Sequence, residues 1–206
     1  MIKQGRSLFD QIENQELIQK LIDSGHGKLV LPGVIDAHVH FRDPGLTHKA
    51  DMASESKAAV AGGVTTCLEM PNTIPQTTTV SELEAKYALA ATKSLVNLGF
   101  FIGATNSNQS EIDKARKAGA CGIKLFLGAS TGNMLVDDSK SIETLFQNAD
   151  LVITIHSEDE KIIQENLATF KSKYGNNIPP EAHASIRSDE ACFKATSFAV
   201  ELAKKI

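Results

Sequence analysis

The chain has 206 residues, of which 21 are Lys or Arg and 25 are Asp or Glu; the formal net charge is -4 and 42% of residues are hydrophobic. That balance is ordinary for a soluble globular protein, and the lack of a basic block argues against nucleic-acid or membrane-surface partners. No apolar run approaches the ~18 residues of a transmembrane helix, the N-terminal stretch has no signal-peptide core, and Cys67, Cys121 and Cys192 are too few and scattered for a disulfide framework, so a reduced, cytoplasmic protein is expected.

Residues 1–25 read as a helix or a loose arm, with Ile12, Leu17, Leu21 and Ile22 at helical spacing. From Lys28 the pattern changes. Apolar runs at 34–41, 64–70, 98–104, 122–128 and 151–157 predict strands, and the stretches 49–63, 81–96, 110–120, 141–150 and 188–206 predict helices between and after them. The Gly62–Gly63 pair marks a helix stop, Ser81 with Glu84 predicts a capping box, and Ser188 predicts an N-cap. Five alternating strand–helix units imply an α/β fold with parallel strands and right-handed crossovers. A doubly wound sheet competes with a barrel, but it usually carries a Gly-rich phosphate loop after its first strand. Here that strand runs into HVHFRDPG instead. A closed eight-fold barrel typically needs ~250 residues, so the length suits only part of one.

Asp36, His38 and His40 alternate along the first strand, which places their side chains on one face. Two imidazoles at a strand end can share a metal ion, with Asp36 orienting the site; a polar strand face that happens to hold two histidines is the plainer alternative. Lys124 sits within GIKLFLG, where burial of a cation is expensive. A neutral amine there can react with carbon dioxide to give a carbamate able to bridge two metals; an edge-strand lysine reaching into water is the alternative. His156 ends LVITIHS, so with parallel strands it shares the C-terminal end of the sheet with His38, His40 and Lys124, where α/β barrels keep their sites. Arg42 suits a substrate carboxylate or an ion pair with Asp43. Asn72 suits the same carboxylate or a turn after Pro71.

The run KLVLPGVIDAHVHFRDPGLTHKADMASESKAAVAGGVTTCLEMPNT, with its DxHxHFRDPG and MPNT segments, resembles the amidohydrolase superfamily and within it the dihydroorotases. The resemblance extends from about Lys28 to the last residue. It implies a metal-dependent hydrolase of the partial (β/α)8 type, with about five strand–helix units in 28–206, and an arm at 1–27 in place of most of a small β-sandwich domain. It implies two zinc ions bridged by a carbamylated Lys124, with His38 and His40 on one and His156 on the other. Arg42 and Asn72 would hold the carboxylate of dihydroorotate or carbamoyl aspartate. The implied reaction is the reversible hydrolysis of a cyclic amide in pyrimidine biosynthesis. Allantoinases and dihydropyrimidinases look similar around the histidine pair but generally lack the arginine. The family's further histidine ligand and its proton-shuttling aspartate are expected beyond residue 206, so no catalytic acid–base residue is assigned within the chain. GASTGN (128–133) is expected to form a loop near the site, and His183 to be structural. An incomplete barrel leaves open strand edges and apolar surface, so a homo-oligomer or a complementing chain is expected, and an inactive subunit with an assembly role is the second functional reading.

Overall fold

A computed structural model describes residues 31–128 and 134–206, together with Glu16, Gln19, Lys20 and Asp23. The chain divides into two units, 1–34 and 35–206. In the first, the four isolated positions are helical, with Lys20 Nζ 2.8 Å from Glu16 Oε1 and Gln19 Nε2 2.8 Å from Asp23 Oδ1. The rest of the element expected over 1–25 lies outside the described residues, as do positions 129–133 of the GASTGN loop.

Strands and helices alternate as expected: β1 (Val34–Val39), α1 (Met52–Ala61), β2 (Val64–Glu69), α2 (Val80–Lys93), β3 (Asn97–Gly103), α3 (Gln109–Ala115), β4 (Gly122–Phe126), α4 (Ser139–Asn148) and β5 (Ile153–His156). The sheet order is β1-β2-β3-β4-β5, and the parallel strands curl into a half-barrel with helices, as the α/β partial-barrel expectation requires. Register pairs Glu69 with Phe100, Gly103 with Lys124 and Phe126 with His156. β4 lies between two neighbours and all five of its residues are buried, which explains its unbroken apolar character. Met52, Leu83, Phe100, Ile102, Ile123 and Leu125 are wholly buried and join the helices to the sheet.

The helix starts follow local chemistry. The Asp51 carboxylate accepts from the backbone N–H groups of Ala53 and Ser54 to begin α1, and Gly62 ends it. The capping box of α2 is built by Thr79 and Glu82, two residues before the Ser81–Glu84 pair expected. Glu82 N–H donates to Thr79 Oγ1 at 3.2 Å and Thr79 N–H donates to Glu82 Oε2 at 3.0 Å. Ser81 and Glu84 have the right spacing but fall inside the first turns. After β5 the chain forms a helix that is not among those expected, α5 (Glu160–Tyr174). Ile163, Leu167, Phe170 and Tyr174 stand at helical spacing along it, with Ile163 buried. A 3-10 turn (Pro180–Ala182), α6 (His183–Ile186) and α7 (Asp189–Lys205) complete the chain, with Ser188 capping α7 as expected. All three cysteines are unpaired. Among the described residues no helix is long and apolar enough to cross a membrane.

Candidate metal and active site

β1 delivers His38 and His40 to its C-terminal end, with ring centroids 5.3 Å apart. The Asp36 carboxylate accepts from the backbone N–H of His38 at 3.1 Å, so it orders the backbone between the imidazoles and is not bonded to a ring. His40 is fixed from the next loop: its Nδ1 lies 2.8 Å from Asn72 Oδ1. An amide oxygen only accepts, so Nδ1 carries the hydrogen and Nε2 keeps its lone pair. Asn72 is therefore an orienting partner of His40, and its amide N–H groups remain to be directed elsewhere.

Arg42 stands two residues beyond, with φ at +61°. A non-glycine residue in the left-handed region carries ~1–2 kcal/mol of strain, and such strain clusters at functional sites. Its guanidinium does not pair with Asp43; Nη1 donates to the backbone oxygen of Asn72 at 3.3 Å. Asp43 is buried and pairs instead with Lys93 at 2.8 Å. The loop is pressed onto the Asn72 segment at Gly45, where φ is +83° and any Cβ would collide with the backbone of Ile74. Ile74 N–H donates to Pro44 O at 3.1 Å, locking the two loops together.

Lys124 is 2% exposed on the central strand β4, so it does not reach into water from an edge. Its Nζ lies 5.0 Å from the centroid of the Phe126 ring, and no carboxylate pairs with it among the described residues. Burial pushes its pKa down. His156 ends β5, with its ring 5.8 Å from that of Phe126. The His38 pKa is held down by burial first, and by the charges of Lys124 and His156; Asp36 pulls the other way. The pKa of His40 is lowered to about 4, by burial and then by the Arg42 guanidinium. Both rings are thus neutral near pH 7, the form that binds metals. The structure brings Lys124 within electrostatic reach of His38 and His40, and His156 within reach of His38. It does not draw three His, Cys, Asp or Glu side chains into a ready-made metal cluster among the described residues.

The donor set nevertheless suits divalent metal: imidazoles from two strands and a buried amine without a counter-charge, which needs either neutralisation or conversion to an anion. Three described carboxylates near the loops already have partners. Glu69 pairs with Lys86 at 2.5 Å, Asp43 with Lys93, and Glu158 with Arg187 and His156. Glu158 and Arg187 touch a site histidine and were not singled out by sequence. Glu158 is legible in retrospect, since it follows His156 by two positions. Arg187 is 31 residues from His156 and arrives only through the turn after α6.

The sequence pattern of the amidohydrolase family matches residues 29–185. The chain is 34% identical over 192 residues to a dihydroorotase of Methanosarcina acetivorans, covering 90% of this chain and 39% of that protein. It is 37% identical over 188 residues to a dihydroorotase of Halobacterium salinarum, covering 88% and 42%. The solved structure of an L-hydantoinase (dihydropyrimidinase) from Arthrobacter aurescens superposes with a TM-score of 0.81 at 32% identity, over 88% of this chain and 41% of that one. The chain thus spans about two-fifths of the length of the relatives it matches. A family match over three-quarters of its residues, on a half-barrel that carries the histidines at strand ends and the lysine within β4, establishes that this chain belongs to the amidohydrolase family.

Proposed function

We propose that this chain supplies the β1–β5 part of the site of a dihydroorotase-type cyclic amidohydrolase, which opens dihydroorotate reversibly to carbamoyl aspartate in pyrimidine biosynthesis. The observation that carries the reading is Arg42, held in a strained conformation beside Asn72 and next to the histidine pair. A fixed guanidinium there suits the substrate's ring carboxylate. Hydantoins and allantoin lack that group, so an L-hydantoinase-like or allantoinase-like enzyme has less use for it.

In this reading His38, His40 and His156 are ligands of two zinc ions. The Lys124 amine would attack carbon dioxide, forming a nitrogen–carbon bond and releasing a proton, and the resulting carbamate would hold the metals together with the histidines. When bound, the metals supply Lewis-acid polarisation of the scissile carbonyl and lower the pKa of the attacking water. Asn72 orients His40 and directs its amide N–H groups at the substrate carboxylate alongside Arg42. The low exposure of Lys124 keeps water from competing for the carbamate. Proton transfer to the leaving nitrogen is assigned to no residue of this chain. Residues 28–206 form the barrel portion in this reading, the location is cytoplasmic, and a second copy or a complementing chain meets the β1 and β5 edges.

Ring opening of dihydroorotate by the full-length protein, measured with zinc and compared with hydantoin and allantoin, tests the proposal. Turnover of dihydroorotate that falls roughly 100-fold in kcat/KM on Arg42→Met, mostly through KM, is expected from loss of a charged contact. Faster turnover of a substrate without a carboxylate, insensitive to Arg42, favours the hydantoinase-like reading. No turnover of any of the three leaves the inactive assembly subunit as the better account.

A further inference from the structure

Arg42 stands between two buried neighbours. Phe41 belongs to the core and Asp43 is 2% exposed, while Arg42 itself is half-buried. A buried carboxylate is costly unless its charge is met, and Asp43 is met from two helices. Its Oδ2 accepts from the Met52 N–H at 3.3 Å, at the start of α1, and from Lys93 Nζ at 2.8 Å, at the end of α2. Lys93 lies 50 residues further along the chain, so the pair ties the loop after β1 to the helix that leads into β3. The loop is tied twice more. Leu46 N–H donates to Arg42 O at 3.0 Å, and Ile74 N–H donates to Pro44 O at 3.1 Å.

Two consequences meet at Arg42. A residue with φ at +61° stays there only where its surroundings fix the chain on both sides, and Phe41 and Asp43 are those fixed points. The second consequence is electrostatic. Asp43 is the acid next to Arg42 in sequence, and a guanidinium binds a carboxylate strongly and often through two parallel bonds. Lys93 occupies that carboxylate, and Arg42 Nη1 donates to the Asn72 backbone oxygen at 3.3 Å instead. We propose that Lys93 is a positioning residue for Arg42: through Asp43 it anchors the loop that carries the guanidinium, and it keeps the guanidinium from closing on its own neighbour, so that a substrate carboxylate takes that place. The proposal rests on Arg42 being the carboxylate contact, as read above. Lys93 touches neither substrate nor metal in it, so its effect falls on substrate binding and not on the chemical step.

Steady-state kinetics of the full-length, zinc-loaded protein with dihydroorotate, in a double-mutant cycle of Lys93→Met and Arg42→Met, decide the point. Lys93→Met should raise KM roughly 10-fold and leave kcat within about twofold of the wild type. In the Arg42→Met background the same change should lower kcat/KM by less than about twofold, because the group that Lys93 positions is gone. Lys93→Arg keeps the cation and should restore most of the loss, which a merely steric role for the lysine would not allow. Lys93→Gln keeps a donor without the charge; it should fall between the two, and it takes the place of the methionine variant if that one fails to fold. An unchanged KM in Lys93→Met, an equal loss in both backgrounds, or a fall in kcat alone overturns the proposal and leaves the Arg42 reading standing. Dihydroorotate turnover that is absent from the wild type, or indifferent to Arg42→Met, overturns that reading and the proposal with it.

Discussion

Lys124 sets a polar atom in the one strand that is buried along its whole length. An amine there loses its hydration without gaining a counter-charge, which costs stability whether it stays charged or gives up its proton. Lys124→Met keeps most of the apolar stem and removes that burden. It should stabilise the metal-free protein by about 1–3 kcal/mol in chemical denaturation, while abolishing the bridging function and with it the hydrolytic activity. Equal or lower stability in Lys124→Met would show that the amine has a partner. The site residues were readable to different depths. His38 and His40 announce themselves by alternation on one strand. Lys124 announces itself by being charged among apolar neighbours, yet only its place between β3 and β5 removes the option of reaching solvent. Asn72 was assigned to substrate, and the structure adds its bond to His40, a contact across 32 residues that no local pattern reveals.

Among the elements, β2 and α2 are joined by a buried ion pair, Glu69 with Lys86, both less than 4% exposed. Burial pushes the Glu69 pKa up and the Lys86 pKa down, and each partner opposes that push in the other. Lys86 Nζ also donates to Met70 O at 3.3 Å, whereas Glu69 Oε1 has no hydrogen-bond partner. Breaking the pair in Lys86→Met should cost about 3–5 kcal/mol by stranding the carboxylate, and Glu69→Leu in the same chain should restore most of it. A small loss in the single variant would mean that water reaches the site. Three helices, α1, α4 and α5, start on Asp51, Asp138 and Asp159, whose carboxylates accept backbone N–H bonds. The Asp51 pKa is lowered by the Ser54 and Ala53 N–H groups, and that of Asp138 by the Ser141 side chain and backbone. Burial raises that of Asp159, but Lys194 and the Ile162 N–H outweigh it. Because the folded values lie below the unfolded ones, the unfolded chain binds more protons in this range. The caps therefore contribute fully above the ordinary aspartate pKa, and their contribution is lost as pH falls through the lowered values. Helical circular dichroism should stay flat down to about pH 4 and fall below it. Asp51→Asn, which caps without titrating, should flatten part of that fall.

For the whole 35–206 unit, the proposed ligands come from β1, β4 and β5, so a bound metal would cross-link strands that are not all neighbours in the sheet. Ligand that binds only the folded state stabilises it by mass action, by about 2.7 kcal/mol at a hundred times its Kd. Zinc at that excess should raise the thermal midpoint by several degrees, and chelator should reverse the rise. The shift should disappear in His38→Ala and Lys124→Met. A midpoint indifferent to zinc would count against the metal site.

Alternating apolar runs and helical stretches were sufficient to specify an α/β chain of five parallel strands, because burial on both faces of a parallel sheet writes itself into consecutive residues. The same local chemistry placed His38, His40 and His156 at strand ends and Lys124 inside an apolar strand. It did not single out α5, although Ile163, Leu167, Phe170 and Tyr174 stand at helical spacing there. Nor did it separate Thr79–Glu82 from Ser81–Glu84, since both pairs have capping spacing and only the path of the chain selects one. The bonds of Asn72 to His40 and of Arg187 to Glu158 and His156 were decided by tertiary structure alone. Hydrogen bonds act over about 3 Å in space, and residues 30 positions apart acquire that distance only when the sheet and its loops have closed around them.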